Sequence, residues 1–151
     1  MNKLKVNLDR KCSNSHEIYI GENILDRLGP ILAKAAWAQR YVMVTDRVIE
    51  GLHGDTVEGA LKKADLSVER IVVDPGEAAK EMGTVLAVAE RLMALGADRG
   101  TALLALGGGV IGDLAGFTAS IFMRGIPVIQ IPTTLLAQVD SGIGGKNGVD
   151  T

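Results

Sequence analysis

The sequence has 151 residues, of which 47% are hydrophobic and 23% charged, and this composition excludes a disordered or fibrous chain. Sixteen basic residues against 18 acidic ones give a net charge of −2, so the basic excess that a nucleic-acid partner requires is missing. The single cysteine excludes an intramolecular disulfide and a zinc site built on several thiolates. With no apolar leader and no run long enough to cross a bilayer, we expect one soluble, cytoplasmic domain without a membrane partner.

Hydrophobic periodicity predicts an N-terminal hairpin and then alternating helices and strands. Apolar and polar residues alternate at 4–8 and 18–20, a spacing typical of two short strands in a hairpin. Asn23 is expected to cap the first helix, which runs to Lys34. Four further strands are predicted at 41–45, 68–73, 101–106 and 128–131.

A helix is expected after each of those four strands. Asp46 begins the first of them, and Gly51 and Gly54 are expected to interrupt it. The cleanest helical spacing runs from 77 to 95 and ends at Gly96. Two more helices are expected at 111–122 and 133–139. This alternation predicts an α/β, Rossmann-like fold, in which a mostly parallel sheet carries helices on both faces.

Polar or glycine-rich turns follow all four predicted parallel strands. In open sheets of this kind, ligands bind beyond the carboxyl ends of the strands. We therefore expect one ligand-binding rim, built from turns at 45–46, 74–77, 107–109 and 132–134.

The strongest local motif is the glycine-rich turn between a predicted strand and a predicted helix. Gly107, Gly109 and Gly112 match G-x-G-x-x-G, whose backbone N–H groups can approach a pyrophosphate at a helix N-terminus. No acidic residue follows about 20 positions later to hold a ribose, so Asp46 in the neighbouring turn is the candidate for that role. A tight turn with no ligand fits the motif equally well, and the helix dipole alone explains Asp113 in the first helical turn.

Two further segments carry charges that fit either a ligand or ordinary structure. Glu77 and Lys80 open the longest helix, where they can reach the rim or simply pair with each other. Glycines surround Lys146 in a segment that suits an anionic ligand but fails the Walker pattern at Asp140 and Asn147. A flexible linker explains the same segment without a ligand.

The remaining cations have ordinary explanations. Arg124 follows a helix, where the helix dipole favours an arginine without any ligand. His16 and His53 lack metal-like spacing, so we interpret both as ordinary surface or core residues. No metal ligand is therefore predicted in this chain.

Together, these segments resemble the signature of the 3-dehydroquinate synthase family. The resemblance rests on GGGVIGDLAGF, then MRG, then IPTTLLAQVDSGIGGKNGV, with VTD and PGEAAK upstream in the family's order. It covers nearly the whole chain but only the N-terminal half of a family member. Residues 1–151 are accordingly expected to form an N-terminal NAD-binding domain of a longer, two-domain enzyme.

The resemblance implies a lyase that converts 3-deoxy-D-arabino-heptulosonate 7-phosphate to 3-dehydroquinate and phosphate in the shikimate pathway. Such enzymes use NAD catalytically, through transient oxidation of a ring alcohol, phosphate elimination, re-reduction and an intramolecular aldol step. They also use a divalent metal, zinc or cobalt, whose ligands belong to a C-terminal helical domain that this chain lacks. The missing ligands imply that the fragment alone is inactive. The resemblance also implies that the full-length enzyme is a homodimer.

The resemblance also implies roles for individual residues. Those implied to bind the cofactor are Asp46, Gly76, Glu77, Lys80, Gly108, Gly109, Val110, Gly112, Asp113, Thr133, Thr134 and Lys146. Those implied to contact the sugar-phosphate substrate are Arg124, Asp140 and Lys146, with Arg124 supplied by the neighbouring subunit.

Three residues depart from the family pattern and leave alternatives open. Val48, Gly142 and Asn147 stand where the family often has Asn, a small Ser or Ala, and Thr. One alternative is a sister sugar-phosphate cyclase with another substrate. The others are a metal-dependent polyol or glycerol-phosphate dehydrogenase and a non-catalytic nucleotide-binding module.

Overall fold

A computed structural model describes the backbone at 2–6 and the chain at 16–145 and 147–150. The strands are β1 (Asn2–Val6), β2 (His16–Ile20), β3 (Arg40–Asp46), β4 (Val68–Val73), β5 (Thr101–Gly107) and β6 (Val128–Pro132). The helices are α1 (Leu28–Ala35), α2 (Arg47–Ile49), α3 (Asp55–Lys62), α4 (Met82–Ala94), α5 (Gly109–Ile121) and α6 (Leu135–Val139). Tighter 3₁₀ turns lie at Ile24–Arg27, Glu77–Ala79, Phe122–Arg124 and Ser141–Ile143. Among the described residues, no helix has the length and apolar character that a bilayer crossing needs.

The predicted N-terminal hairpin is confirmed. Strands β1 and β2 pair antiparallel, with Asn2 opposite Ile20 and Val6 opposite His16. The end of the first predicted strand, at 7–8, lies outside the described residues. The hairpin is a two-stranded sheet of its own, so its position depends on contacts with the rest of the chain.

The main sheet is parallel, as the alternation predicts, and its strand order is β4-β3-β5-β6. The chain places β4 on one side of β3 and then crosses to place β5 on the other side, so the order reverses between β3 and β5. Such a switch point opens a crevice beyond the carboxyl ends of its two strands. All seven residues of β5 are buried, as expected for a parallel strand covered on both faces.

Helices cover both faces of this sheet and form two cores. One core joins the sheet to α1 and α3 through Tyr41, Met43, Leu104, Leu32, Val57 and Leu61. The other joins the sheet to α4 and α5 through Val42, Val44, Leu103, Val85, Leu92 and Leu114. Each fully buried side chain of this size contributes about 2 kcal/mol, so the strand ends are held in fixed positions.

The expected cap at Asn23 is wrong. Asn23 has φ 51° and ψ 35°, a left-handed conformation that asparagine tolerates better than most residues, and its side chain makes no cap hydrogen bond. A 3₁₀ turn follows it, and α1 begins only at Leu28.

The expected interruption at Gly51 and Gly54 is also wrong, because both glycines lie in a π-helical turn, Glu50–Gly54, that joins α2 to α3 without a break. A Cβ on Gly54 would lie 3.1 Å from the Arg70 guanidinium, so this turn packs closely against β4.

The helix predicted from 77 to 95 is shorter than expected. Glu77–Ala79 forms a 3₁₀ turn, Lys80 leaves the helical region at φ −83° and ψ 56°, and α4 begins at Met82. The backbone carbonyl of Lys80 accepts a hydrogen bond from the amide of Asp150 at 2.9 Å. This carbonyl therefore pairs with a residue distant in sequence. In a continuous α-helix it would accept from the amide four residues later.

Candidate functional site

A cleft of about 370 Å³ lies at the carboxyl edge of the sheet. Its lining residues are Asp46, Ile49, Gly76, Glu77, Gly108, Gly109, Val110, Ile111, Thr134 and Leu136. All four predicted turns contribute to it, and β3 and β5, which flank the switch point, supply its two sides. The predicted cofactor residues that do not line it are Lys80, Gly112, Asp113 and Thr133, while Lys146 lies outside the described residues.

Asp46 ends β3 and caps α2. Its Oδ1 accepts hydrogen bonds from the backbone amides of Val48 and Ile49, both at 2.9 Å. The backbone is extended at Asp46, as is usual for an N-cap residue. Capping and lining the cleft are therefore compatible, because the two amide bonds use one carboxylate oxygen and fix the side chain beside the cleft.

The first glycine of the motif makes the tight turn out of β5. A Cβ on Gly107 would lie 2.7 Å from the Cβ of Ile111, a separation that real side chains do not show. A Cβ on Gly108 would lie 3.3 Å from Cγ2 of Thr134, so the turns after β5 and β6 approach closely. Gly108 and Gly109 thus leave backbone open to the cleft at the start of α5.

Gly112 serves packing between α5 and β6. A Cβ there would lie 2.8 Å from Oε1 of Gln130, and Nε2 of Gln130 donates to the carbonyl of Gly112 at 3.1 Å. This is the helix–strand packing role that the third glycine of such motifs has elsewhere.

Lys80 and Asp113 form an ion pair behind the cleft. The Lys80 Nζ lies 2.9 Å from Oδ2 of Asp113 and 3.8 Å from Oε1 of Glu77. The hydrogen bond from Lys80 to Asp113 raises the pKa of the lysine further above neutral pH, so the pairing favours the charged ammonium. The expected Glu77–Lys80 pair is present, but it is the longer of the two contacts.

The sequence predicted Asp113 in the first turn of its helix, and this prediction is wrong. The helix α5 begins at Gly109 and has no acidic residue in its first turn. The Asp113 carboxylate therefore interacts mainly with the Lys80 ammonium and less with the helix dipole.

The two threonines after β6 have different surroundings. Thr134 caps α6 by accepting from the amide of Ala137 at 3.2 Å. The amide of Thr133 donates to the carbonyl of Gly107 at 2.9 Å, but its buried hydroxyl has no hydrogen-bond partner among the described residues. A buried polar group without a partner costs about 1–3 kcal/mol, so this hydroxyl is suited to a ligand or a water.

Two of the three predicted substrate residues, Asp140 and Arg124, do not line the cleft, and the third, Lys146, lies outside the described residues. Asp140 ends α6 and is exposed. Arg124 is also exposed and lies at the opposite edge of the sheet, because α5 carries the chain away from the cleft over its 13 residues, about 20 Å. The structure therefore does not bring Arg124 to the cleft of its own chain.

Three apolar residues of the cleft were not predicted from the sequence: Ile49, Ile111 and Leu136. Each is in or near the first turn of the helix that follows a strand. An apolar residue two or three positions after the strand-end turn is the signal that could have found them. Such side chains give the cleft the apolar lining that organic ligands prefer.

No metal site is apparent in the part of the chain that the structure describes. Across residues 2–6, 16–145 and 147–150, no three His, Cys, Asp or Glu side chains lie close enough to hold an ion.

Comparison with known proteins matches the chain to one family. The family described as 3-dehydroquinate synthase N-terminal matches residues 70–151. A 3-dehydroquinate synthase of Alkaliphilus metalliredigens is 47% identical over 150 residues, which cover 99% of this chain and 40% of the relative. A 3-dehydroquinate synthase of Caulobacter vibrioides is 44% identical over 138 residues, which cover 91% of this chain and 37% of the relative. The chain thus spans about two fifths of the length of these curated relatives.

Solved structures agree on the fold. A 2-deoxy-scyllo-inosose synthase, solved with carbaglucose-6-phosphate, NAD+ and Co2+, matches with a TM-score of 0.89 and 29% identity, over 99% of this chain and 40% of its own. A 2-epi-5-epi-valiolone synthase from Streptomyces hygroscopicus, with NAD+ and Zn2+ bound, matches with a TM-score of 0.80 and 34% identity, over 98% and 40%. An iron-containing alcohol dehydrogenase matches less well, with a TM-score of 0.62 and 25% identity over 77% and 35%.

Proposed function

This chain belongs to the 3-dehydroquinate synthase family, and we propose that it is the NAD-binding N-terminal domain of an enzyme that converts 3-deoxy-D-arabino-heptulosonate 7-phosphate to 3-dehydroquinate and phosphate. The observation that carries the proposal is the position of the cleft. Asp46 and the Gly108–Gly109 turn face each other across the switch point of a parallel sheet, where such folds bind dinucleotides.

The residues around the cleft fit NAD. Gly108 and Gly109 expose backbone at the start of a 13-residue helix, whose N-terminus favours a pyrophosphate. Asp46 supplies a fixed carboxylate that can accept from ribose hydroxyls, and Ile49 supplies an apolar surface next to it. The buried Thr133 hydroxyl is a further polar group without a partner among the described residues. Bound NAD would supply reversible hydride transfer at the substrate ring.

The charged residues of the chain would bind and orient the anionic ligands. The Lys80 ammonium, held in place by Asp113, can add positive charge near the cofactor phosphates. We place Asp140 and Lys146 on the substrate side of the cofactor. Arg124 would bind the phosphate of a substrate held by a neighbouring subunit, because a guanidinium matches the geometry of an oxyanion.

The described residues do not fit the divalent metal that family members use, since no cluster of ligands is present among them. We therefore derive no step through a metal and propose that its ligands belong to a C-terminal domain. Phosphate release by the pure 151-residue chain would contradict this division of roles.

Titration of the chain with NAD tests the proposal, with calorimetry as the measurement. Asp46→Asn keeps a side-chain oxygen for the α2 cap but loses the charge, so we expect affinity to fall about tenfold. Asp98→Asn is the matched control, because Asp98 also accepts a backbone amide, from Gly100 at 2.9 Å, but lies at the amino edge of the sheet. Failure of the wild-type chain to bind NAD, or equal effects of the two substitutions, would overturn the proposal.

A sister sugar-phosphate cyclase is the second candidate, because two of the three solved structures named above are cyclases of this kind. The departures at Gly142 and Asn147 do not add to it, because both have packing reasons. A Cβ on Gly142 would lie 2.7 Å from the carbonyl of Ala137, and a Cβ on Gly116 would lie 2.1 Å from Oδ1 of Asn147. Phosphate release by the full-length enzyme from the heptulosonate phosphate, compared with a hexose 6-phosphate, separates the two candidates.

A further inference from the structure

A histidine of the N-terminal hairpin bonds to the C-terminal segment. The Nε2 of His16 lies 2.7 Å from the carbonyl oxygen of Ile143, 127 positions away. A carbonyl oxygen only accepts, so Nε2 carries the hydrogen and donates it. The bond joins β2, which is outside the parallel sheet, to the 3₁₀ turn Ser141–Ile143.

That turn lies against the glycine turn of the cleft. A Cβ on Gly109 would lie 3.5 Å from Oγ of Ser141, which is ordinary contact distance. On its other side, the His16 ring covers Gly144, where a Cβ would lie 3.5 Å from Cε1 of the imidazole. The Ser141–Ile143 turn is therefore held between the glycine turn and the hairpin.

The backbone after the turn has the freedom to move if this contact is lost. Gly144 and Gly145 have φ +95° and +89°, conformations that glycine adopts at little cost. Two such residues in succession do not themselves fix the direction of the chain. The His16 ring is one contact from outside the segment that holds it here.

We propose that His16 is a positioning residue that fixes the Ser141–Ile143 turn over the Gly108–Gly109 backbone. This inference rests on the proposed function only for its ligand: Asp140 directly precedes the turn, so the turn sets where Asp140 would meet the nicotinamide side of NAD and the substrate. The contact needs a donor at the Nε2 position and no charge. Glutamine, whose Nε2 also donates, should replace histidine, whereas phenylalanine should not.

The test measures amide hydrogen exchange in the ligand-free 151-residue chain. The amides of Ile143 and Gly144 donate within the turn, to Asp140 at 3.1 Å and Ser141 at 3.3 Å, so they report its opening. In His16→Phe we expect both to exchange about fivefold faster, the effect of one lost hydrogen bond, and in His16→Gln we expect the wild-type rates. Tyr19→Phe is the control, because it removes a 2.6 Å bond to Glu17 within the same hairpin and keeps the His16 bond.

The outcomes separate this inference from the proposed function. Unchanged exchange in His16→Phe, or an equal increase in Tyr19→Phe, would overturn the positioning role whatever the chain binds. NAD titration of the same variants then gives a second readout, for which we expect about threefold weaker binding in His16→Phe and recovery in His16→Gln. Faster exchange with unchanged NAD affinity would also overturn the positioning role of His16. A wild-type chain that does not bind NAD would contradict the proposed function and leave the exchange result to decide whether His16 holds the turn.

Discussion

Lys80 and Arg70 are cations of nearly equal exposure, 21% and 22%, but their surroundings differ. The Arg70 guanidinium contacts three carboxylates: Glu50 at 2.6 Å, Asp55 at 2.7 Å, and Glu58. The Lys80 ammonium has one acceptor within hydrogen-bond distance among the described residues, which is Asp113.

This difference separates a structural ion pair from one suited to ligand binding. Both terminal nitrogens of Arg70 are engaged, and they fasten the π-helical turn and α3 to the edge strand β4. An ammonium has three N–H donors, so Lys80 keeps donors for a further acceptor near the cleft. Two equally buried cations can therefore differ in their capacity to bind an anion. The number of N–H donors that are already bonded distinguishes them.

Arg70→Gln breaks the saturated cluster and should have the largest effect. The substitution removes hydrogen bonds to charged groups and leaves three carboxylates near one another, so we expect stability to fall by about 2 kcal/mol. Urea denaturation measures the loss. NAD affinity should stay within about twofold of wild type, since Arg70 lies outside the cleft lining. A tenfold loss of affinity with little loss of stability would reverse the assignment of the two cations.

Lys80→Gln tests the other side of the comparison. The amide keeps a donor for Asp113 but loses the charge that would attract the cofactor phosphates. We expect NAD to bind about tenfold more weakly by calorimetry, with a change in stability below about 1 kcal/mol. The assignment fails if binding is unchanged while stability drops as far as in Arg70→Gln.

The smallest expected effect concerns the Glu58 carboxylate of the Arg70 cluster and is measured by acid titration. Hydrogen bonds from Lys62 and Arg70 lower the pKa of Glu58, so the folded state favours the charged carboxylate more than the unfolded state does. This stabilisation is present above the unfolded pKa and is lost as pH falls through the lower, folded pKa. Glu58→Gln should therefore lose less stability than wild type on acidification, by less than about 1 kcal/mol. Parallel acid profiles of the two proteins, followed by thermal denaturation, would contradict it.

The strand ends and the glycine turn could be predicted because their signals are local. The strands at 101–106 and 128–131 are mostly apolar, and glycines follow the first while Pro132 and two threonines follow the second. Parallel pairing then brings their carboxyl ends to one edge. Seven of the twelve residues that the resemblance implied to bind the cofactor line the observed cleft, and six of these lie in the four turns predicted at the strand ends.

The partners of the charged side chains could not be predicted from local pattern. Arg70 lies on β4, whereas its carboxylates lie 12 to 20 positions earlier in sequence, on α3 and on a π-helical turn that no spacing rule indicated. The Lys80 contact to Asp113 depends on the crossover from β4 to β5. The expected helix across Lys80 failed for a similar reason, because its carbonyl pairs with the distant Asp150. The sequence holds these residues, but only the three-dimensional arrangement pairs them.

The complete burial of β5 has a consequence for how this domain can diverge. A strand with one wet face can change half of its residues with little penalty, but β5 faces packed side chains on both sides along its whole length. A saturation library should therefore find Leu103 and Leu104 equally intolerant of polar substitution, although one belongs to each core. We therefore expect neutral substitutions to accumulate in the outer helices and in the edge strand β4, and to be rare in β5.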